Sequence, residues 1–195
     1  MNIQEAIKRA NSFLKLNNIK SSELDSEILM SKVIEKDRAY LILNSKEKIK
    51  KNKLYQFNRL IRERSSGKPV AYLIGKKEFW KHEFNIKEGV LIPRPDTEII
   101  IEETLKVVKY KSKLKVLDIG VGSGCLLLSI LKEKKDFNGV GIDISQICLD
   151  ISKINSLKLG LKNRVKFFKS NVDNFDCGKY DLIVSNPPYI KKHNI

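Results

Sequence analysis

At 195 residues the chain has room for one large domain, or a small domain with part of another, and its 42% hydrophobic and 31% charged content is that of an ordinary soluble globular protein. No apolar run approaches about 18 residues, and Lys8 and Arg9 sit inside a helical pattern, so neither a membrane span nor a signal peptide is expected and the expected location is cytoplasmic. The formal charge of +15 points to an acidic partner, with weak nucleic-acid affinity as one reading and a solvated lysine surface as the other; residues 1–66 hold 15 basic and 8 acidic side chains, so the excess is spread along the chain.

Ile3, Ile7, Ala10 and Leu14 recur at helical spacing, predicting an amphipathic helix over residues 2–17 that ends at Asn17-Asn18. Ser21 or Ser22 is placed to cap a second helix with Leu24, Ile28, Leu29 and Val33 inward, and Asp37 a third piece holding Tyr40, Leu41 and Leu43. A fourth helix from about Lys46 aligns Leu54, Phe57 and Ile61, and the lysines at its start read as a solvated face. Residues 1–66 are therefore expected to form a small helical bundle, a docking module with no chemistry of its own.

Ser65-Ser66-Gly67-Lys68-Pro69 is a turn cluster and the expected domain boundary. Beyond it Val70, Tyr72 and Ile74 alternate, followed by Glu78-Phe79-Trp80 and Phe84-Asn85-Ile86, which predicts a β-hairpin linker over residues 67–90. Pro93 and Pro95 bracket Arg94 ahead of a helix capped by Asp96 or Thr97, with Ile100, Ile101, Leu105 and Val108 inward.

A strand over residues 114–119 runs into Gly120-Val121-Gly122-Ser123-Gly124, and a helix opens at Cys125. Such a loop lets the backbone approach a ligand and is expected to aim free N–H groups at it. A second strand over 139–142 ends in Asp143, where a carboxylate is placed to accept from both hydroxyls of a ribose. Asp118 beside the loop would repel a pyrophosphate, and the glycines span four residues where the dinucleotide fingerprint spans five. Both features favour a cationic ligand such as S-adenosyl-L-methionine over NAD. Ser145 is placed to cap a helix with Ile147, Ile151 and Ile154 inward and Gly160 as its stop, ahead of a third strand over 165–168. Cys125, Cys148 and Cys177 lack metal-type spacing, and His82 and His193 are isolated, so no metal is expected.

Tyr180-Asp181-Leu182-Ile183-Val184 reads as a fourth, buried parallel strand, which places Asn186-Pro187-Pro188-Tyr189 at its carboxyl end. The two prolines stiffen a segment offering two acceptors, the Asn186 side-chain oxygen and the Pro187 carbonyl, while Tyr189 is placed to stack. This suits the grip of a planar amide or base amine, whose nitrogen needs positioning before it attacks an electrophile. Asn-Pro-Pro is also good turn chemistry, and these residues alone leave both readings open.

With the pieces in order, the chain resembles the release factor glutamine methyltransferases of the HemK/PrmC type. The matching segments are Gly67-Lys68-Pro69-Val70-Ala71-Tyr72, Glu78-Phe79-Trp80, residues 91–98, residues 117–124 and Asn186 to Tyr189. The resemblance implies an α/β protein: a helical domain over 1–66, the hairpin linker over 67–90, and over 91–195 the first part of a Rossmann-like class I methyltransferase domain. It implies methyl transfer from S-adenosyl-L-methionine to the glutamine amide of the Gly-Gly-Gln motif in class 1 peptide chain release factors. Gly120, Val121, Gly122, Ser123 and Gly124 would hold the methionine end, Asp143 the ribose, and Asn171 and Val172 the adenine, with Asn186 also beside the cofactor. Asn186, Pro187 and Tyr189 would be catalytic, and Pro188 and Phe79 would join them around the substrate.

Two departures stand out. The family has an aromatic residue after Asp where this chain has Asn171-Val172, and Val172 cannot stack. The fold normally has seven strands, and four are found before Ile195, so a fragment or truncated enzyme, inactive as it stands, is expected. The competing readings are an RNA or DNA amine methyltransferase with the same grip, and a release-factor-binding protein that no longer catalyses.

Overall fold

The computed structural model describes residues 1–187, so Pro188 and Tyr189 lie outside the described residues. The chain divides into two compact units, residues 1–75 and 76–195.

The first unit is helical: α1 (Ile3–Leu16), α2 (Ser22–Ile34), α3 (Arg38–Leu43), α4 (Lys51–Ser65) and α5 (Val70–Ile74). Asn2 accepts from the Glu5 N–H and Glu5 reaches back to the Asn2 N–H, a reciprocal cap that starts α1. Asp37 caps α3 as expected, accepting from the Tyr40 N–H at 2.8 Å. Ile3, Ala10, Leu14, Leu29, Met30, Phe57 and Ile61 form the core of the unit. Between α2 and α4, Arg64 Nε donates to the buried Asp25 Oδ2 at 2.7 Å, an oxygen that also accepts from Ser21 Oγ.

Four expectations for this unit are corrected. Residues 70–74 are helix, not strand: Val70-Ala71-Tyr72-Leu73-Ile74 is hydrophobic throughout and fits either period, and Pro69 before the segment with left-handed Gly75 after it frames one helical turn. The unit accordingly runs past the Ser65–Pro69 turn to Gly75. Leu24, expected inward, is exposed, because the stripe that α2 buries runs through Leu29, Met30 and Val33. The fourth helix starts at Lys51, and Lys48 pairs instead with Asn2 in an isolated antiparallel bridge.

The second unit begins with an antiparallel hairpin, β1 (Lys76–Phe79) and β2 (His82–Asn85). Trp80, expected in a strand, occupies the turn with φ 56°. This left-handed conformation is costly for a bulky residue and is held by two carboxylates: the Trp80 N–H donates to Glu98 Oε1 and its indole N–H to Glu133 Oε1, both at 2.7 Å. Then come α6 (Glu98–Val107), β3 (Lys115–Ile119), α7 (Cys125–Glu133), β4 (Asn138–Asp143), α8 (Gln146–Lys158), β5 (Val165–Lys169) and β6 (Leu182–Ser185). The four strands β3 to β6 form one parallel sheet in the order β5-β4-β3-β6. Ile147 and Ile154 of α8 are half exposed against expectation, while Ile151, Cys148 and Leu149 are buried. Successive strands run one way from β3 to β5, and β6 lies on the other side of β3. The sheet therefore has a switch point between β3 and β6, and in open α/β sheets the crevice for a ligand lies at the carboxyl ends of such strands.

Candidate active site

The loop Gly120 to Gly124 leaves the end of β3, and Asn186 follows the end of β6, so both lie at this switch point. The Ser185 hydroxyl donates to the Ile119 carbonyl at 2.8 Å, tying the two strand ends together just before the site.

Gly120, Gly122 and Gly124 have φ of 76°, 55° and 78°, the left-handed region that glycine enters without penalty. Gly124 is also sterically confined: a Cβ there would stand 2.9 Å from Leu128 Cδ1 and 3.1 Å from Ser152 Oγ. The expectation that the loop aims free N–H groups at a ligand is corrected. The Gly120 and Val121 N–H groups both donate to the Ile142 carbonyl at 2.9 Å, Gly124 N–H donates to the Val121 carbonyl at 2.8 Å, and Gly122 N–H donates to Asp143 Oδ2 at 2.9 Å. A loop whose donors are consumed in this way is a poor phosphate cradle. The backbone is instead braced from behind by α8: Ser152 Oγ donates to the Gly122 carbonyl at 2.9 Å, and Asn155 Nδ2 to the Ser123 carbonyl at 2.9 Å. Fully buried Asn155 also exchanges hydrogen bonds with both backbone groups of Asn85, so one amide joins the hairpin to the loop.

Asp143, at the end of β4, accepts from Gly122 N–H through one oxygen and from Ser145 N–H, at 2.8 Å, through the other. Each carboxylate oxygen has two lone pairs, so capacity remains to accept from a ligand's hydroxyls.

A cleft of about 50 Å³ lies against the loop, lined among others by Arg94, Thr97, Asp118, Gly120, Val121, Gly122, Ser123, Cys125 and Asn186. Its volume suits one end of a cofactor rather than the whole, whole-ligand pockets being several hundred Å³. Asp118 is 2% exposed, and its Oδ2 has no hydrogen-bond partner. Burial is the main cause that pushes its carboxyl up to about 7; the Leu127 N–H pulls the other way and the neighbouring Asp143 adds to the rise. An orphaned carboxyl oxygen at a mostly apolar cleft offers a ligand's ammonium group the partner that such surroundings otherwise lack. The Cys125 thiol, pushed up to about 12 mainly by burial, stays protonated and is no nucleophile.

The structure thus brings Gly120, Val121, Gly122, Ser123 and Asn186 together at one cleft, with Gly124 and Asp143 behind it. Other expected residues stand apart. Asn171 uses its side-chain oxygen locally, accepting from the Asn174 N–H at 2.9 Å, and Val172 is half exposed. Phe79 is 2% exposed and meets Phe84 edge-on at 6.2 Å between ring centroids, so its ring belongs to the packing under the hairpin and not to the cleft wall. Pro187 is exposed beside Asn186. Arg94 and Thr97 line the cleft; the two prolines around Arg94 mark its guanidinium in the sequence as held in a defined place, whereas Thr97 carries no signal there beyond a possible helix cap. Asp118 was read as a charge beside the loop, and its burial could not be foreseen.

Residues 5–75 match the family described as PrmC N-terminal domain, and residues 97–195 that described as methyltransferase small domain. The chain is 42% identical over 190 residues to the release factor glutamine methyltransferase of Buchnera aphidicola subsp. Schizaphis graminum, covering 97% of this chain and 68% of that protein. It is 40% identical over 198 residues to the release factor glutamine methyltransferase of Clostridium acetobutylicum, covering 100% of this chain and 70% of that one. Among solved structures, a ribosomal protein L11 methylase from Lactobacillus delbrueckii subsp. bulgaricus matches at a TM-score of 0.45 and 24% identity, over 52% of this chain and 51% of that one, too partial a likeness to bear on function.

Proposed function

This chain belongs to the release factor glutamine methyltransferase family, and we propose on that footing that it methylates the side-chain amide nitrogen of the glutamine in the Gly-Gly-Gln motif of class 1 peptide chain release factors. S-adenosyl-L-methionine is the methyl donor of the family. The observation that carries the reading is the juxtaposition at one switch point of a glycine loop, an orphaned buried carboxyl and an asparagine followed by proline. The cofactor fits these residues in kind. Asp118 Oδ2 offers the counter-charge for the ammonium of its amino-acid end, and Asp143 has acceptor capacity left for its ribose. When bound, S-adenosyl-L-methionine would supply the methyl group that the amide nitrogen takes up, its S–CH3 bond breaking to leave the thioether S-adenosyl-L-homocysteine while one amide proton passes to water.

The chain's own contribution is positioning. Asn186 Oδ1 and the Pro187 carbonyl accept from the two amide hydrogens of the substrate, which holds the nitrogen and opposes the delocalisation that makes an amide a weak nucleophile. Pro188 and Tyr189, which the family resemblance also assigns to the substrate grip, lie outside the described residues. Asn171 and Val172 follow β5, on the side of the sheet where an adenine would extend from Asp143. Translation termination is cytoplasmic, so the proposal carries that location with it. Mass spectrometry of release factor incubated with the protein and S-adenosyl-L-methionine tests it: one added methyl group, placed by fragment ions on the motif's glutamine side chain, is expected. Methyl groups elsewhere, or none, would refute the substrate assignment.

Residues 1–75, which match the PrmC N-terminal domain, are proposed to dock the release factor. Their removal is expected to slow methylation of intact factor at least about tenfold, the scale for losing the remote binding that positions a substrate, while affinity for S-adenosyl-L-homocysteine is kept. An undiminished rate on intact factor would count against the docking role.

The raised pKa of Asp118 gives a pH signature. Its folded value, about 7, lies above the ordinary 3.8, so the folded state binds the proton more tightly and stability falls as pH rises from about 4 to about 7, then levels off. An ammonium ligand pairs with the ionised form only. Calorimetric affinity for S-adenosyl-L-homocysteine is therefore expected to rise by up to about tenfold per pH unit between pH 5.5 and 7 and to flatten above. Asp118→Asn should remove this dependence and weaken binding at pH 8. A wild-type affinity that does not vary with pH would take Asp118 out of the site.

A further inference from the structure

We propose that Thr97 is a positioning residue that anchors the Asn186 side-chain amide at the cleft, engaging its nitrogen end and leaving its oxygen for the substrate. The inference rests on the reading of Asn186 as the acceptor for the substrate amide. Asn186 Nδ2 donates to Thr97 Oγ1 at 2.9 Å, across 89 residues of sequence. Thr97 is 7% exposed and lines the same cleft as Asn186.

A threonine at this position has an ordinary structural task. Thr97 is the N-cap residue of α6, where a hydroxyl normally accepts from an N–H two or three residues on. Here it does not: the backbone of Thr97 is already helical, with φ −68° and ψ −18°, and its side chain makes no cap bond. The hydroxyl is turned to Asn186 instead. Its own position is fixed by the 3₁₀ turn Pro95–Thr97, in which Pro95 restricts φ and the Thr97 N–H donates to the Arg94 carbonyl at 3.1 Å. The other partner is fixed by β6, whose last residue is bonded to the end of β3.

What this bond leaves available is the acceptor end of the amide. A carboxamide has an acceptor end and a donor end of nearly the same shape. With Nδ2 engaged by Thr97, Oδ1 is left for the substrate. With the amide reversed, an NH2 group would meet the NH2 of the glutamine, donor against donor, and the grip would become a repulsion. Pro187, lacking an N–H, adds no donor next to it. The Thr97 hydroxyl can donate as well as accept, so it holds the amide in place while the substrate NH2 group, which needs an acceptor, keeps Oδ1 toward itself; the segment around Thr97 thus anchors a catalytic group contributed by a distant strand.

Thr97→Val keeps the branched shape and removes the hydroxyl; Thr97→Ser keeps the hydroxyl. Thr97→Val is expected to lower kcat for release factor methylation about tenfold to a hundredfold, with affinity for S-adenosyl-L-homocysteine within about threefold and an unchanged melting midpoint. Thr97→Ser should restore kcat to within about threefold of wild type. In parallel, protein labelled with 15N-asparagine reports the Asn186 side-chain NH2 directly, its signals identified by their loss in Asn186→Asp. One of its two protons should exchange slowly in wild type and in Thr97→Ser, and fast in Thr97→Val. Full turnover by Thr97→Val, or Asn186 amide signals that ignore the substitution, would overturn the proposal. Should the wild-type protein methylate no release factor, the functional assignment falls, and the amide signals still decide whether Thr97 holds Asn186.

Discussion

Asn186→Ala is expected to lower methyl transfer to release factor by at least about a hundredfold, the scale for removing one preorganised polar contact from a transition state. The effect should fall on kcat. Asn186 follows a strand end that is anchored to β3 through Ser185, and Thr97 engages its amide nitrogen, so its oxygen is held in place before substrate arrives. Alanine leaves the glutamine nitrogen with one acceptor, the Pro187 carbonyl, and no force to turn its lone pair toward the methyl group. Asn186 makes no hydrogen bond to the glycine loop, so affinity for S-adenosyl-L-homocysteine should change by less than about threefold. Single-turnover rates with labelled donor, beside calorimetry, separate the two quantities. A variant that turns over within about threefold of wild type would remove Asn186 from the chemistry.

Asp143→Ala should weaken cofactor binding by about 1.5–3 kcal/mol, the range for hydrogen bonds to a charged group. Two losses combine. The acceptors for the ribose go, and so do the anchors of the Gly122 and Ser145 N–H groups, each bonded to its own carboxylate oxygen. Amide exchange at Gly122 should therefore quicken in the variant even without ligand. Asp143→Asn keeps one acceptor oxygen and should retain part of the affinity. Calorimetry with S-adenosyl-L-homocysteine measures the first effect and hydrogen exchange the second; unchanged affinity in Asp143→Ala would exclude the residue from the site.

The parts of the site legible in the sequence are those fixed by chain order. A strand, a glycine loop, a helix and a strand ending in Asp143 can fold in few ways once right-handed crossovers are required, and a β-branched run before Asn186 places that residue at a strand's carboxyl end. The rest arises from contacts between distant segments. Thr97 meets Asn186 across 89 residues, Ser152 meets Gly122 across 30, and Asn155 meets Ser123 across 32; no spacing rule announces such pairs. The loop N–H groups were expected to be free because the Ile142 carbonyl, which takes two of them, comes from the next strand of the sheet. Residues 70–74 were expected as strand because Val70, Tyr72 and Ile74 alternate, but all five side chains are hydrophobic and satisfy both periods, and neighbours in the helical unit, around buried Leu73, decide the outcome. Phe79 matched a family segment, yet its place under the hairpin depends on packing against Phe84.

We propose that the cleft between the glycine loop and Asn186 transfers a methyl group to a protein amide and not to a nucleobase. With a formal charge of +15, the protein has an electrostatic reason to meet nucleic acid as well. The direct measurement places equal concentrations of release factor and of structured ribosomal RNA in one tube with methyl-labelled S-adenosyl-L-methionine and follows the label into each. Label entering the release factor, abolished when the motif's glutamine is replaced by glutamate, is the predicted result. Label accumulating in the RNA while the release factor stays unmodified would contradict it.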